Sequence, residues 1–130
     1  MTLRWLLRIV AIYLGALGAA SLLVPQAASS GLGHALTPFD IFAARTIGAT
    51  LLTIAILNWS ASMSALIPVG VVLANVFMNA VLGTVDATNI IGGTIGAGSW
   101  SGVAIHAALV LAFSLCLFRA MRRHKAARLA

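Results

Sequence analysis

Four long and continuously apolar segments constrain this chain more than any other feature. They run from Trp5 to Val24, from Ile41 to Asn58, from about Ser64 to Val85 and from about Ser101 to Phe118. A helix that crosses a bilayer needs roughly 20 mostly apolar residues, because the hydrocarbon core is about 30 Å thick. The runs do not alternate between polar and apolar residues, which favours helices over the strands of a membrane barrel. The sequence therefore predicts an all-α membrane protein with four transmembrane helices in an antiparallel bundle.

The composition excludes several classes of protein. Of the 130 residues, 62% are hydrophobic and 8% are charged. Asp40 and Asp86 are the two acidic residues. Soluble domains carry about 25% charged residues, so a soluble enzyme and a disordered chain are both excluded. The one cysteine, Cys116, excludes a disulfide-based scaffold. We expect a single integral membrane domain over residues 1–130, without catalytic residues, cofactor or metal site.

The connections between the spans are expected to be short. Residues 25–40 and 86–100 predict two long polar loops, and residues 59–63 predict a tight turn between the second and third spans. Pro38 and Asp40 are typical start signals for the second helix.

The basic residues predict the orientation. Arg4 and Arg8 open the first span, five more basic residues lie in the tail 119–130, and both long loops lack Lys and Arg. Because Lys and Arg collect on the cytoplasmic side, both termini are predicted to be cytoplasmic in a bacterial inner membrane. A cleaved signal peptide is the alternative for the first span, but the apolar run is long for one, which favours a retained anchor. The tail has too few basic residues and no aromatic platform for nucleic acid, so it is expected to contact anionic lipid.

Polar residues within the spans predict a candidate ligand-binding site. Ionisable groups inside a membrane are costly and are therefore functional candidates. Counting residues from the outer ends of the spans puts Arg45, Asn79 and His106 at one depth in the outer half of the bundle. Asn75, Asn79, Gly83 and Asp86 share one face of the third helix, because they are spaced by four, four and three residues. The predicted ligand-binding residues are Arg45, Asn75, Asn79, Asp86 and His106.

The same residues also fit a purely architectural clamp, because Asn side chains in membranes often only hydrogen-bond a neighbouring helix. A haem ligated by two histidines is not expected within one chain. His34 lies on a loop and His124 on the tail, so neither is placed to join His106.

Residues 44–48 (ARTIG), followed by Asn58-Trp59, carry a family resemblance. With the exit of the first helix at Pro25, they make the chain similar to small bacterial four-helix membrane proteins, including DoxX-like proteins. The resemblance implies the four-helix layout and a link to sulfur- or quinone-connected redox chemistry, and it transfers no catalytic residue. Small multidrug-resistance transporters are excluded, because their mechanism uses a Glu in helix one and this chain has no Glu.

Three functions remain open at this stage. The first is a non-enzymatic accessory or partner-binding subunit, which pairs with another membrane protein or with a second copy of the chain. The second is a small transporter or channel for an anion or small solute, with Arg45 as the anion-attracting group. The third is a quinone- or lipid-binding redox subunit, in which His106 and Asn79 hydrogen-bond a quinone.

Overall fold

A computed structural model describes residues 2–28 and 35–129, and every regular element in these ranges is a helix. The elements are α1 (Leu3–Leu23), α2 (Pro25–Ala28), α3 (Pro38–Met63), α4 (Val69–Ile91), a 3-10 turn (Ala97–Ser99) and α5 (Trp100–Leu129). Four of the helices are long and apolar enough to cross a membrane: α1, α3, α4 and the Trp100–Arg122 part of α5. The prediction of an all-helical protein with four candidate spans is confirmed. Residues 29–34 of the predicted first loop, including His34, lie outside the described residues.

Helix α3 begins where the sequence indicates and ends later. Thr37 caps it, because its hydroxyl accepts the Asp40 backbone N–H at 3.2 Å while the Asp40 carboxylate accepts the Thr37 N–H at 2.8 Å. The prediction of a tight turn at residues 59–63 is wrong, since these residues form the last turn of α3. They contain no Gly or Pro, so the helix continues until Ser64, which adopts an extended conformation four residues before Pro68.

Helix α4 is displaced along the chain from the predicted span 64–85. It starts only after Pro68, whose ring removes a backbone donor. It continues to Ile91, and in its last turns Thr88 and Asn89 donate side-chain hydrogen bonds back to the Val85 carbonyl, at 2.9 and 3.0 Å. Much of the predicted loop 86–100 is therefore helix, and the chain turns at Gly92 and Gly93, where Gly93 has a φ of +73°.

Helix α5 also exceeds its predicted length of 101–118 and extends through the basic tail. The Arg122 guanidinium lies 4.3 Å from the centre of the Phe118 ring, one helical turn earlier, and this contact favours continuation of the helix.

The chain divides into two compact units. The first comprises Leu7–Leu66 and is called the α1–α3 unit; the second comprises Ile67–Ala130 with Met1–Leu6 and is called the α4–α5 unit.

In the α1–α3 unit, two glycines bring the helices into backbone contact. A Cβ atom on Gly18 would lie 2.8 Å from the Gly48 carbonyl oxygen, and one on Gly48 would lie 2.7 Å from the Gly18 carbonyl oxygen. One buried face of α1 extends along this contact, and its members are Leu7, Val10, Ala11, Leu14, Gly18 and Ser21. In a membrane, the hydrophobic effect does not drive helices together, because the surrounding lipid is as apolar as the helices. Small residues at the contact allow the two backbones to approach and to gain van der Waals packing instead.

Candidate functional site

The polar face predicted on α4 lies against α5 in the α4–α5 unit. Asn75 and Asn79 are almost completely buried, at 2% and 1% exposure, and Asp86 is half-buried further along the helix. The Asn79 amide donates to the Asn75 carbonyl at 2.8 Å, and the Asn75 amide donates to the Val71 carbonyl at 2.8 Å. Each amide group is thus oriented by the backbone of its own helix, one turn earlier.

His106 of α5 joins two of these α4 residues. Its Nδ1 lies 2.9 Å from the Asn79 side-chain oxygen, and its Nε2 lies 3.7 Å from an oxygen of Asp86. The imidazole is therefore held between a buried amide and a carboxylate whose side chain is 33% exposed. We call Asn79, Asp86 and His106 the α4–α5 polar cluster.

The hydrogen bonds determine which nitrogen of His106 carries a proton. The Asn79 amide nitrogen is committed to the Asn75 carbonyl, so its oxygen faces His106. A carbonyl oxygen only accepts, so Nδ1 must donate and Nε2 is left to face Asp86. The 3.7 Å contact between Nε2 and the Asp86 carboxylate is an ion pair only when Nε2 also carries a proton.

Two glycines provide the space for this arrangement. A Cβ atom on Gly83 would lie 3.1 Å from the His106 Cβ, and one on Gly102 would lie 3.1 Å from the Asp86 carboxylate. Both distances are tighter than ordinary van der Waals contact, so an alanine at either position would push the cluster apart. The sequence pattern indicates Gly102 only as a helix-packing residue, whereas the structure places it against the Asp86 carboxylate.

An open groove of about 560 Å³ lies on the same unit. It is lined by Asn79 and by mostly small or aliphatic residues, namely Ala80, Gly83, Thr84, Ala87, Thr88, Val103, Ala107, Val110 and Leu111. The Thr84 hydroxyl donates to the Ala80 carbonyl, and the Thr88 hydroxyl donates to the Val85 carbonyl, both at 2.9 Å. Both hydroxyl protons are therefore bonded to the backbone of α4. The groove is therefore apolar, with Asn79 as its polar member.

Arg45 is the predicted site residue that these contacts do not include. It lies on α3, in the α1–α3 unit, and its side chain is exposed. Asp40, predicted as one of its counter-charges, has its carboxylate engaged by Thr37 at the start of α3. Four of the five predicted residues thus form one connected set along α4 and α5, and the participation of Arg45 stays a prediction.

A second polar cluster was missed by sequence reasoning. In the α1–α3 unit, the Arg8 Nε donates to the Ser62 hydroxyl at 3.4 Å, and Ser62 donates to the Trp59 carbonyl at 2.6 Å. Ser62 and Asn58 are both completely buried. Asn58 at a predicted helix end was the available signal, because a polar residue that is buried needs a partner.

Across residues 2–28 and 35–129, no group of three or more His, Cys, Asp or Glu side chains could hold a metal ion. The chain matches no protein-family profile, no curated protein and no solved structure.

Proposed function

We propose that the four helices form an antiparallel bundle in the bacterial plasma membrane, with both termini cytoplasmic. Contacts within each unit support the opposite helix directions, since Arg8 of early α1 pairs with Ser62 of late α3, and Asp86 of late α4 lies beside Gly102 of early α5. The basic residues at both ends of the chain support the cytoplasmic termini. The single-domain organisation and the resemblance to DoxX-like proteins stay predictions.

Within this membrane arrangement, the protein acts as a non-enzymatic accessory subunit that binds a basic group of a partner membrane protein at Asp86. The observation that carries this proposal is the 3.7 Å pairing of Asp86 with His106, whose other nitrogen is engaged by Asn79. A clamp between two helices needs only the bond between Asn79 and His106. An added carboxylate near the membrane is costly unless it is paired, which favours a binding role for it.

The charge of the carboxylate explains the preference for a basic group. An ionised Asp86 carries one negative charge, which a lysine or arginine of the partner neutralises. On α4 and α5 the next charged side chains, Arg119 and Arg122, lie about 20 Å or more from His106 along the helix, at 1.5 Å per residue.

The test is native mass spectrometry of the complex, extracted with a mild detergent. We expect a partner at fixed stoichiometry that is lost in Asp86→Asn. Asp40→Asn is the matched control, because it makes the same change at the other acidic residue and leaves the cluster untouched. A partner retained equally by both variants would refute the proposal.

A purified-protein measurement separates the chemistry from the identity of the partner. Calorimetric titration with n-butylamine and n-butylguanidinium measures the binding of a basic group directly. We expect binding to the wild type and none to Asp86→Asn. Binding of small anions in place of these cations would instead support the transporter hypothesis built on Arg45.

A second candidate function is the binding of a quinone or another lipid with a hydrogen-bonding headgroup. The apolar groove favours it, because Asn79 lies in the groove wall beside His106. Ala107→Leu would fill the groove, and Asp40→Asn again serves as the control. A long-chain quinone that stabilises the wild type and the control, but not Ala107→Leu, would support this function; equal stabilisation of all three would exclude it.

A further inference from the structure

The α1–α3 unit carries a charged side chain within a membrane-spanning helix. Arg8 lies in the second turn of α1 and is half-buried, and its guanidinium is a cationic hydrogen-bond donor without acceptor atoms. Ser62 accepts from its Nε and is itself fastened to the Trp59 carbonyl, so the guanidinium is anchored to a rigid part of α3. A topology signal alone needs no such anchor.

An apolar groove of about 280 Å³ lies beside this pair. It is lined by Ala11, Gly15, Leu52, Ala55, Ile56, Trp59 and Ser60. On α1, Arg8 precedes Ala11 and Gly15 by three and seven residues, so all three lie on one face. On α3, Ser62 follows Trp59 by one turn. The groove therefore runs between the two helices and ends at the level of the Arg8–Ser62 pair.

We propose that this groove and Arg8 together form a binding site for one anionic phospholipid. The phosphate pairs with the Arg8 guanidinium, and part of one acyl chain lies in the groove. Trp59, which is 45% exposed at this end of the groove, provides the aromatic ring that membrane proteins place at the headgroup level. With the orientation proposed above, the site opens to the cytoplasmic leaflet, where anionic lipids and basic pockets between helices meet.

The dimensions suit part of one acyl chain. The groove extends from Leu52 to Ser60, about 12 Å along α3 at 1.5 Å per residue. It offers about 280 Å³ over this length and has an almost entirely apolar lining. The positive charge of Arg8 at one end and the apolar lining beside it match the headgroup and the chain of an anionic lipid.

The experiment is a lipid titration of the full chain in neutral detergent, followed by native mass spectrometry. Phosphatidylglycerol and phosphatidylcholine with identical acyl chains are compared. We expect one tightly retained phosphatidylglycerol per chain, with an affinity about tenfold or more lower in Arg8→Gln, because a charge-assisted hydrogen bond is lost. Arg4→Gln is the matched control for charge, since it removes an arginine from the same helix end, and its affinity is expected to change by about fivefold or less.

A second pair of variants tests the groove without touching the charge. Gly15→Leu fills the groove. Gly70→Leu adds the same bulk on α4, at a position where a Cβ atom would meet no other part of the structure within 4 Å. We expect only Gly15→Leu to release the lipid. If Arg8→Gln fails to fold, Arg8→Lys retains the charge and the groove pair still decides. Equal losses in Arg8→Gln and Arg4→Gln, equal retention of the two lipids by the wild type, or full retention in Gly15→Leu would each overturn the proposal.

Discussion

The contact between Gly18 and Gly48 leads to the sharpest prediction about stability. A Cβ atom on Gly48 would lie 2.7 Å from the Gly18 carbonyl oxygen and 3.0 Å from the Leu22 amide nitrogen. Both atoms belong to the backbone of α1, so no side-chain rotation relieves the overlap. Because an ordinary carbon–oxygen contact is about 3.3 Å, Gly48→Ala requires the helices to separate by about 0.6 Å. We expect this separation to lower the free energy of unfolding by about 1–3 kcal/mol, which is typical of overpacking.

Gly15 provides the matched control on the same pair of helices. A Cβ atom there would lie 3.7 Å from the Ala55 Cβ, an ordinary van der Waals contact. Gly15→Ala therefore gains helix propensity, by up to about 1 kcal/mol, without a steric cost. Both substitutions replace a helical glycine by alanine, so the difference between them isolates the steric effect. The assay is unfolding in mixed micelles by titration with sodium dodecyl sulfate, followed by circular dichroism. If Gly48→Ala is as stable as Gly15→Ala, the reasoning about backbone contact is refuted.

Three further predictions concern the cap and the polar cluster. Thr37→Ala is expected to lower the free energy of unfolding by about 0.5–2 kcal/mol in the same assay, whereas Thr37→Ser retains the capping hydroxyl and most of the stability. The nitrogen-15 spectrum of His106 in the folded protein is expected to show the proton on Nδ1; in Asn79→Leu this preference should disappear, and a wild-type spectrum with an unprotonated Nδ1 would contradict the assignment. Gly102→Ala is expected to weaken the binding of n-butylamine, because its methyl group displaces Asp86; unchanged binding would show that the 3.1 Å approach has no role.

The spans and one face of the site follow from simple periodicity. Apolar runs of about 20 residues specify membrane helices whatever their neighbours are, so the four spans were predictable. The spacing of Asn75, Asn79 and Asp86 places them on one side of any regular helix. His106 was paired with them by counting residues from the helix ends, and the 2.9 Å contact agrees with that count. The proton on Nδ1 was not predictable, because it depends on which way the Asn79 amide points.

The sequence does not predict the Arg8–Ser62 pair, because the predicted second span ends at Asn58, whereas α3 ends at Met63. With a turn expected at residues 59–63, Ser62 is not expected inside a helix, and Arg8 indicates only the orientation of the chain. The helix continues because nothing before Ser64 breaks it: the next proline is Pro68, and no glycine intervenes. The extra turn places Ser62 on the face of Leu52, Ala55 and Trp59, which lines the groove.

The additional helical turn at residues 59–63 changes what can be inferred from the polar residues of α3. A serine in an exposed turn hydrogen-bonds water and says nothing about its neighbours, whereas a completely buried serine inside a spanning helix must have a partner. Its backbone acceptor, the Trp59 carbonyl, satisfies only its proton, and the remaining lone pairs favour a donor. Arg8 supplies that donor at 3.4 Å, so its guanidinium is fixed beside the end of the groove. The proposed phospholipid site needs the guanidinium at this position, which is why the length of α3 and the proposed lipid site depend on each other.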